Sequence, residues 1–109
     1  MLDDIAQVED LMGKIEAQLP IPANPTGALV QQLRPQGLKI SAQRVMFISR
    51  VFYMGDEGGI MCDVTPTKDA REAYVVSLTH LRIAPNHPLS RDIRAYQRER
   101  VRRIAQSNR

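Results

Sequence analysis

Arg91, Arg94, Arg98 and Arg102 recur at spacings of three and four toward the C-terminal end of the chain. On a helix that spacing sets them along one face. Guanidinium groups are planar and permanently charged, and they grip phosphate or carboxylate through two parallel hydrogen bonds. The chemistry on offer is therefore anion recognition, with Arg103 adjoining the row. If the anions are nucleic-acid phosphates, affinity should fall steeply with salt. The plainer alternative is that the row is solvated or faces the acidic start of the chain, where Asp3, Asp4, Glu9, Asp10 and Glu16 stand against Lys14. Aromatic partners for unstacked bases are scarce, because only Tyr96 lies among the arginines.

Other reactive side chains form weaker patterns. Cys62 lies between Met61 and Asp63. A nucleophilic thiol needs a nearby cation, a helix N-terminus or a histidine base, and an adjacent carboxylate works the other way. A small core cysteine is the expectation. His80 and His87 could in principle join Cys62 and Asp63 around a metal, but their spacing matches no zinc pattern. If Thr65 pairs with Glu72, Cys62 lies opposite Val75, well away from His80. Asp56 and Glu57 sit in Gly55-Asp56-Glu57-Gly58-Gly59, which lacks the Gly-Lys and following helix of a phosphate loop. No glycine-framed serine suggests a triad. The chain is read as non-enzymatic, without metal or cofactor.

Positioning these residues takes a small amount of structure. The chain has 109 residues, enough for one domain. Residues 91–109 hold seven Arg against Asp92 and Glu99, so the net charge of +3 is concentrated in that segment. One cysteine fits a reducing compartment. The acidic N-terminus lacks a secretory pattern, and no apolar run approaches the roughly 20 residues that span a bilayer. A cytoplasmic protein without membrane contact is expected.

Leu2, Ile5, Val8, Met12, Ile15 and Leu19 make one apolar stripe, predicting a helix over 1–19. Pro20, Pro22 and Pro25 then predict a stiff connector over 20–27. Ala28 to Arg34 suits a short helix capped by Thr26 and ended by Pro35 and Gly37. Residues 40–83 read as a β-meander: Arg44 to Met54, then Ile60 to Thr65, then Glu72 to Arg82, the first two joined by the glycine-rich hairpin. In the first strand, strict alternation puts Val45, Phe47, Ser49, Val51 and Tyr53 on one face and Met46, Ile48, Arg50, Phe52 and Met54 on the other. Both are largely apolar, so both faces should be at least partly covered, one by the amphipathic helices and the other by a second helix or a second subunit. Ser90 starts the last helix, 90–107, with a narrow stripe of Leu89, Ile93, Tyr96 or Gln97, Val101 and Ile104.

The expected fold is α+β: a three-stranded antiparallel meander flanked by an acidic N-terminal helix and an Arg-rich C-terminal helix. That order of elements resembles the double-stranded RNA-binding domain over most of the chain. The resemblance is one of topology, and the motifs differ. The family's Gly-Pro-x-His loop is replaced by the acidic Gly55–Gly59, and its Lys-rich helix start by Ser90-Arg91-Asp92-Ile93-Arg94. The family's first helix touches RNA, whereas this one is acidic. The functional expectation is an interaction or accessory module that self-associates through a sheet face, or binds an acidic protein. The alternative is an RNA- or DNA-binding module using Arg91, Arg94, Arg98, Arg102 and Arg103.

Overall fold

The computed structural model describes residues 3–37, 40–67 and 73–107. The Asp4 carboxylate accepts from the backbone N–H of Ala6 at 3.0 Å and of Gln7 at 3.3 Å, which satisfies donors that a helix start leaves open. Helix α1 follows as Ile5–Glu16 and turns Val8, Leu11 and Ile15 into the core. It is shorter than the expected 1–19. Leu19 packs on the core from beyond its end, and Leu2 lies outside the described residues.

The proline-rich stretch is a strand rather than a connector. In β1, Ile21–Pro25, the residues Ile21, Ala23 and Pro25 are buried, while Pro22 is exposed and Asn24 half-buried. Its first half pairs antiparallel with β2, Met46–Tyr53, and its last two residues pair with β5, Leu81–Arg82. Proline is tolerated in a strand where no ladder demands its missing N–H. A five-residue strand that changes neighbour midway makes few such demands. Helix α2, Gly27–Leu33, follows at once, the Thr26 hydroxyl accepting from the Leu29 N–H at 3.3 Å.

Strand β2 returns through the expected glycine-rich hairpin to β3, Ile60–Thr65. The expected third strand is not continuous. It gives β4, Tyr74–Ser77, then a 3-10 turn over Leu78–His80, then β5. The Ser77 hydroxyl accepts from the Thr79 N–H at 3.3 Å and bonds the Gly58 carbonyl at 2.9 Å, holding the break in place. The register also differs by one residue, since Cys62 faces Val76 and Asp63 faces Val75.

The sheet order is β4-β3-β2-β1-β5. One short turn joins β4 and β5, yet they occupy opposite ends of that order. The sheet must therefore curl until its two edges approach. The protein is α+β, and the described residues form three helices and a five-stranded antiparallel curled sheet in place of the three-stranded meander. Strand β1 and helix α2 also depart from the element order of the double-stranded RNA-binding domain. The core lies inside the curl: Ile21, Ile48, Ile60, Cys62, Val64, Leu78 and Leu81 meet Val8, Leu11 and Ile15 of α1, Leu29 and Leu33 of α2, and Ile93 of the last helix.

A β-bulge decides what each sheet face carries. The pairing of β2 with β3 slips between Ile48 and Arg50, so Ser49 is an extra residue. Met46 and Ile48 before the bulge then share the inner face with Val51 and Tyr53 after it, while Phe47, Arg50 and Phe52 turn outward. Strict alternation had mixed the two sets. The apolar character expected on both faces is concentrated within, where Met46, Ile48 and Val51 are buried.

Candidate functional site

Helix α3, Ser90–Ser107, carries the arginines. Leu89 and Ile93 anchor it in the core, but Val101 and Ile104 of the expected stripe are 58% and 36% exposed. The helix is seated for its first three turns and then projects. Arg91, Arg94 and Arg98 are exposed. Arg102 and Arg103 both bond the Glu99 carboxylate, Arg103 at 2.8 Å. The pair holds the Glu99 carboxyl at about 2, well below its usual range, chiefly through the Arg102 hydrogen bond. The structure thus divides the expected row, with Arg91, Arg94 and Arg98 projecting and Arg102 and Arg103 engaged with Glu99.

The contact with the acidic N-terminal segment uses a different arginine. Arg100 lies seven residues after Ile93 and so on the inward side of α3. Its Nη1 donates to Asp3 Oδ2 at 2.6 Å, and both side chains are almost fully buried, at 3% and 4% exposure. Tyr53 Oη donates to the same carboxylate oxygen at 2.8 Å, and Arg100 Nη2 donates to the Asp56 carbonyl at 2.9 Å. The Tyr96 hydroxyl accepts from the Ile60 N–H at 2.8 Å. Burial, followed by Asp3, pushes the Tyr53 phenol up to about 12; Tyr96 is raised as well, mainly by burial. Sorting arginines by their spacing to one another missed Arg100. Its place on the apolar stripe was the available signal.

This cluster floors a groove of about 500 Å³ between α1 and α3, walled by Asp4, Asp10, Lys14, Asp92 and Glu99. Lys14 spans it, bonding Asp10 at 3.1 Å and Asp92 at 3.3 Å. Among the described residues, no buried side-chain polar atom lacks a partner. The groove is a satisfied seam.

The outward sheet face is a different surface. The cross-strand rows are Pro22–Phe47–Thr65, Arg50–Asp63–Val75 and Phe52–Met61–Ser77. Phe47, Phe52 and Met61 are half-buried, and Val75 is 55% exposed. Phe52, Met61 and Val75 do not pack against the core cluster. At the centre Arg50 Nε meets Asp63 Oδ2 at 2.8 Å, and its guanidinium lies 5.0 Å from the Phe52 ring centroid, a cation–π arrangement.

Cys62 is fully buried, and burial pushes its thiol up to about 12, with Asp63 adding to the shift. His80 ends the 3-10 turn, and His87 Nδ1 accepts from the Leu89 N–H at 3.0 Å. Among the described residues no group of three or more His, Cys, Asp or Glu is placed to hold a metal, and no helix is long and apolar enough to cross a membrane. No protein-family model, curated protein or solved structure matches the chain.

Proposed function

We propose that the protein is a small non-enzymatic interaction module that self-associates through the outward face of its sheet. The observation carrying this reading is that Phe52, Met61 and Val75 share that face without joining the core. Each of the three helices contributes to the core on the other side, through Val8, Leu11 and Ile15, Leu29 and Leu33, and Ile93. An antiparallel sheet with one solvated face usually presents polar side chains there, and aromatic and methionine side chains are the types enriched at interfaces. The favoured occupant is a second copy. Arg50 and Asp63 lie side by side between Phe52, Met61 and Val75. A two-fold axis between them would set each copy's arginine against the other's aspartate. Catalysis has no place in this reading, since the candidate nucleophile Cys62 is sealed in the core with its thiol protonated.

The test is mass by light scattering at micromolar concentration for the parent and for Phe52→Lys/Val75→Lys. The expected result is a dimer that becomes a monomer in the variant while the circular dichroism spectrum stays unchanged. A monomeric parent, or a variant that remains dimeric, would overturn the proposal.

A further inference from the structure

We infer that Arg82, Arg91, Arg94 and Arg98 form a basic ridge that holds the phosphodiester backbone of a nucleic-acid duplex. The inference uses none of the residues of the sheet-face interface and stands or falls independently of it. Its starting point is a juxtaposition the sequence hides. Arg82, on the edge strand β5, and Arg94, on α3, face each other across a concavity of about 270 Å³ shared with Asn24, Pro85 and Gln97. A second hollow of about 360 Å³ continues from Arg94 past Arg98 to Val101. Arg91 lies one turn before Arg94 on the exposed side of α3. The helical rise spreads Arg91 to Arg98 over about 10 Å.

Arg82 and Gln97 are held in place, and among the described residues the charge of the ridge is uncompensated. Arg82 is steadied by donating Nη2 to the Ala42 carbonyl. Gln97, between the arginines, is locked by donating to the carbonyls of Leu78 and Leu81 at 2.7 Å each, which ties α3 to the β5 edge. No ion pair engages Arg82, Arg91, Arg94 or Arg98 among the described residues. The acids of α3 look elsewhere: Asp92 meets Lys14, and Glu99 is held by Arg102 and Arg103.

The composition of the ridge selects among anionic partners. A protein partner would need an apolar centre flanked by polar groups, whereas Val101 here lies at one end. Arginines along a line suit repeated phosphates, which they can grip bidentately. Among the described residues no aromatic side chain shares the ridge, so it offers no platform for stacking single-stranded bases. Recognition is therefore of the backbone, preferring a duplex to a single strand and indifferent to sequence.

The test is fluorescence anisotropy with a fluorescein-labelled 20-base-pair duplex from 50 to 200 mM salt. Four phosphate contacts predict a slope of log K against log salt of about −3.6 and an affinity loss of about 10²-fold across that range. Arg82→Gln/Arg94→Gln/Arg98→Gln should bring the slope to about −1. Arg94→Gln/Arg98→Gln, which leaves the Arg82–Ala42 contact intact, should give about −2. No binding by the parent at 50 mM salt would overturn the inference, as would equal binding by the triple variant. So would displacement of the duplex by poly-glutamate as readily as by unlabelled duplex, which would make the ridge a site for acidic protein.

Discussion

Arg100 and Arg94 lie six residues apart on one helix and have opposite environments. Arg100 is 3% exposed and hydrogen-bonded to Asp3 and to the Asp56 carbonyl; Arg94 projects beside a shallow hollow. The difference is angular. Six residues advance an α-helix by about 600°, which leaves the two side chains some 120° apart. The inward arginine ties the N-terminal segment, the hairpin and α3 together. The outward one contributes little to the fold and is available to a ligand. The same side chain is structural or available according to which way the helix turns it.

Removing the inward arginine should expose this contrast most strongly. Arg100→Met leaves the Asp3 carboxylate buried without its cation, and breaking a buried pair in this way costs about 3–5 kcal/mol. Arg94→Gln, by contrast, should change stability by no more than about 0.5 kcal/mol. Urea unfolding followed by circular dichroism measures both. Asp3→Leu/Arg100→Met, which removes both charges, should recover much of the loss, since apolar replacement of a whole buried pair is often near neutral. An Arg100→Met protein as stable as Arg94→Gln would show that the two arginines are equivalent after all.

The next largest effect should come from Gly59, where the hairpin backbone meets α3. Its φ is +67°, and an added Cβ would collide with the Tyr96 hydroxyl and come within 2.9 Å of the Arg100 guanidinium carbon. Left-handed backbone and overpacking together set the cost of Gly59→Ala at about 2–4 kcal/mol. Gly37 also has positive φ, but among the described residues nothing lies near its missing Cβ. Gly37→Ala should therefore cost only the backbone part, about 1 kcal/mol. Equal losses at the two glycines would mean that the hairpin does not press on α3 in solution.

The sequence was most readable where side-chain chemistry and backbone geometry agree. The Gly55–Gly59 hairpin between two β-rich segments and the Thr26 cap announce themselves in this way. Pro22 and Pro25 misled because proline reads as a breaker, although the alternation of Ile21, Ala23 and Pro25 is that of a strand with one buried face. The bulge at Ser49 carries no glycine to mark it. Its trace is the step of three from Ile48 to Val51 in a period-two pattern, and missing that step made both faces appear apolar. The break at Ser77 was hidden for a related reason, since Leu78 continues the apolar pattern while its backbone turns to carry β5 across to β1. For the arginines, charge spacing marked the outward row, but only the position of Arg100 relative to Ile93 could have separated it from its neighbours.

The smallest expected effect probes the inward side alone. Tyr53 donates to the Asp3 oxygen that Arg100 also holds, and Tyr53→Phe should cost about 1.5 kcal/mol, the loss of one hydrogen bond to a charged group. The same bond implies a pH dependence of definite sign. The phenol titrates near 10 when unfolded and at about 12 in the folded protein, because burial and then Asp3 disfavour the phenolate. Its contribution is therefore complete below pH 10 and is lost as pH rises from 10 through about 12. Absorbance at 295 nm should show part of the tyrosinate signal delayed toward pH 12, and Tyr53→Phe should remove a share of that delayed phase. Arg94→Gln should leave the titration unchanged, since its side chain is on the far side of the helix. A Tyr53→Phe titration that superimposes on the parent would place the phenol in solvent and detach the N-terminal segment from the core.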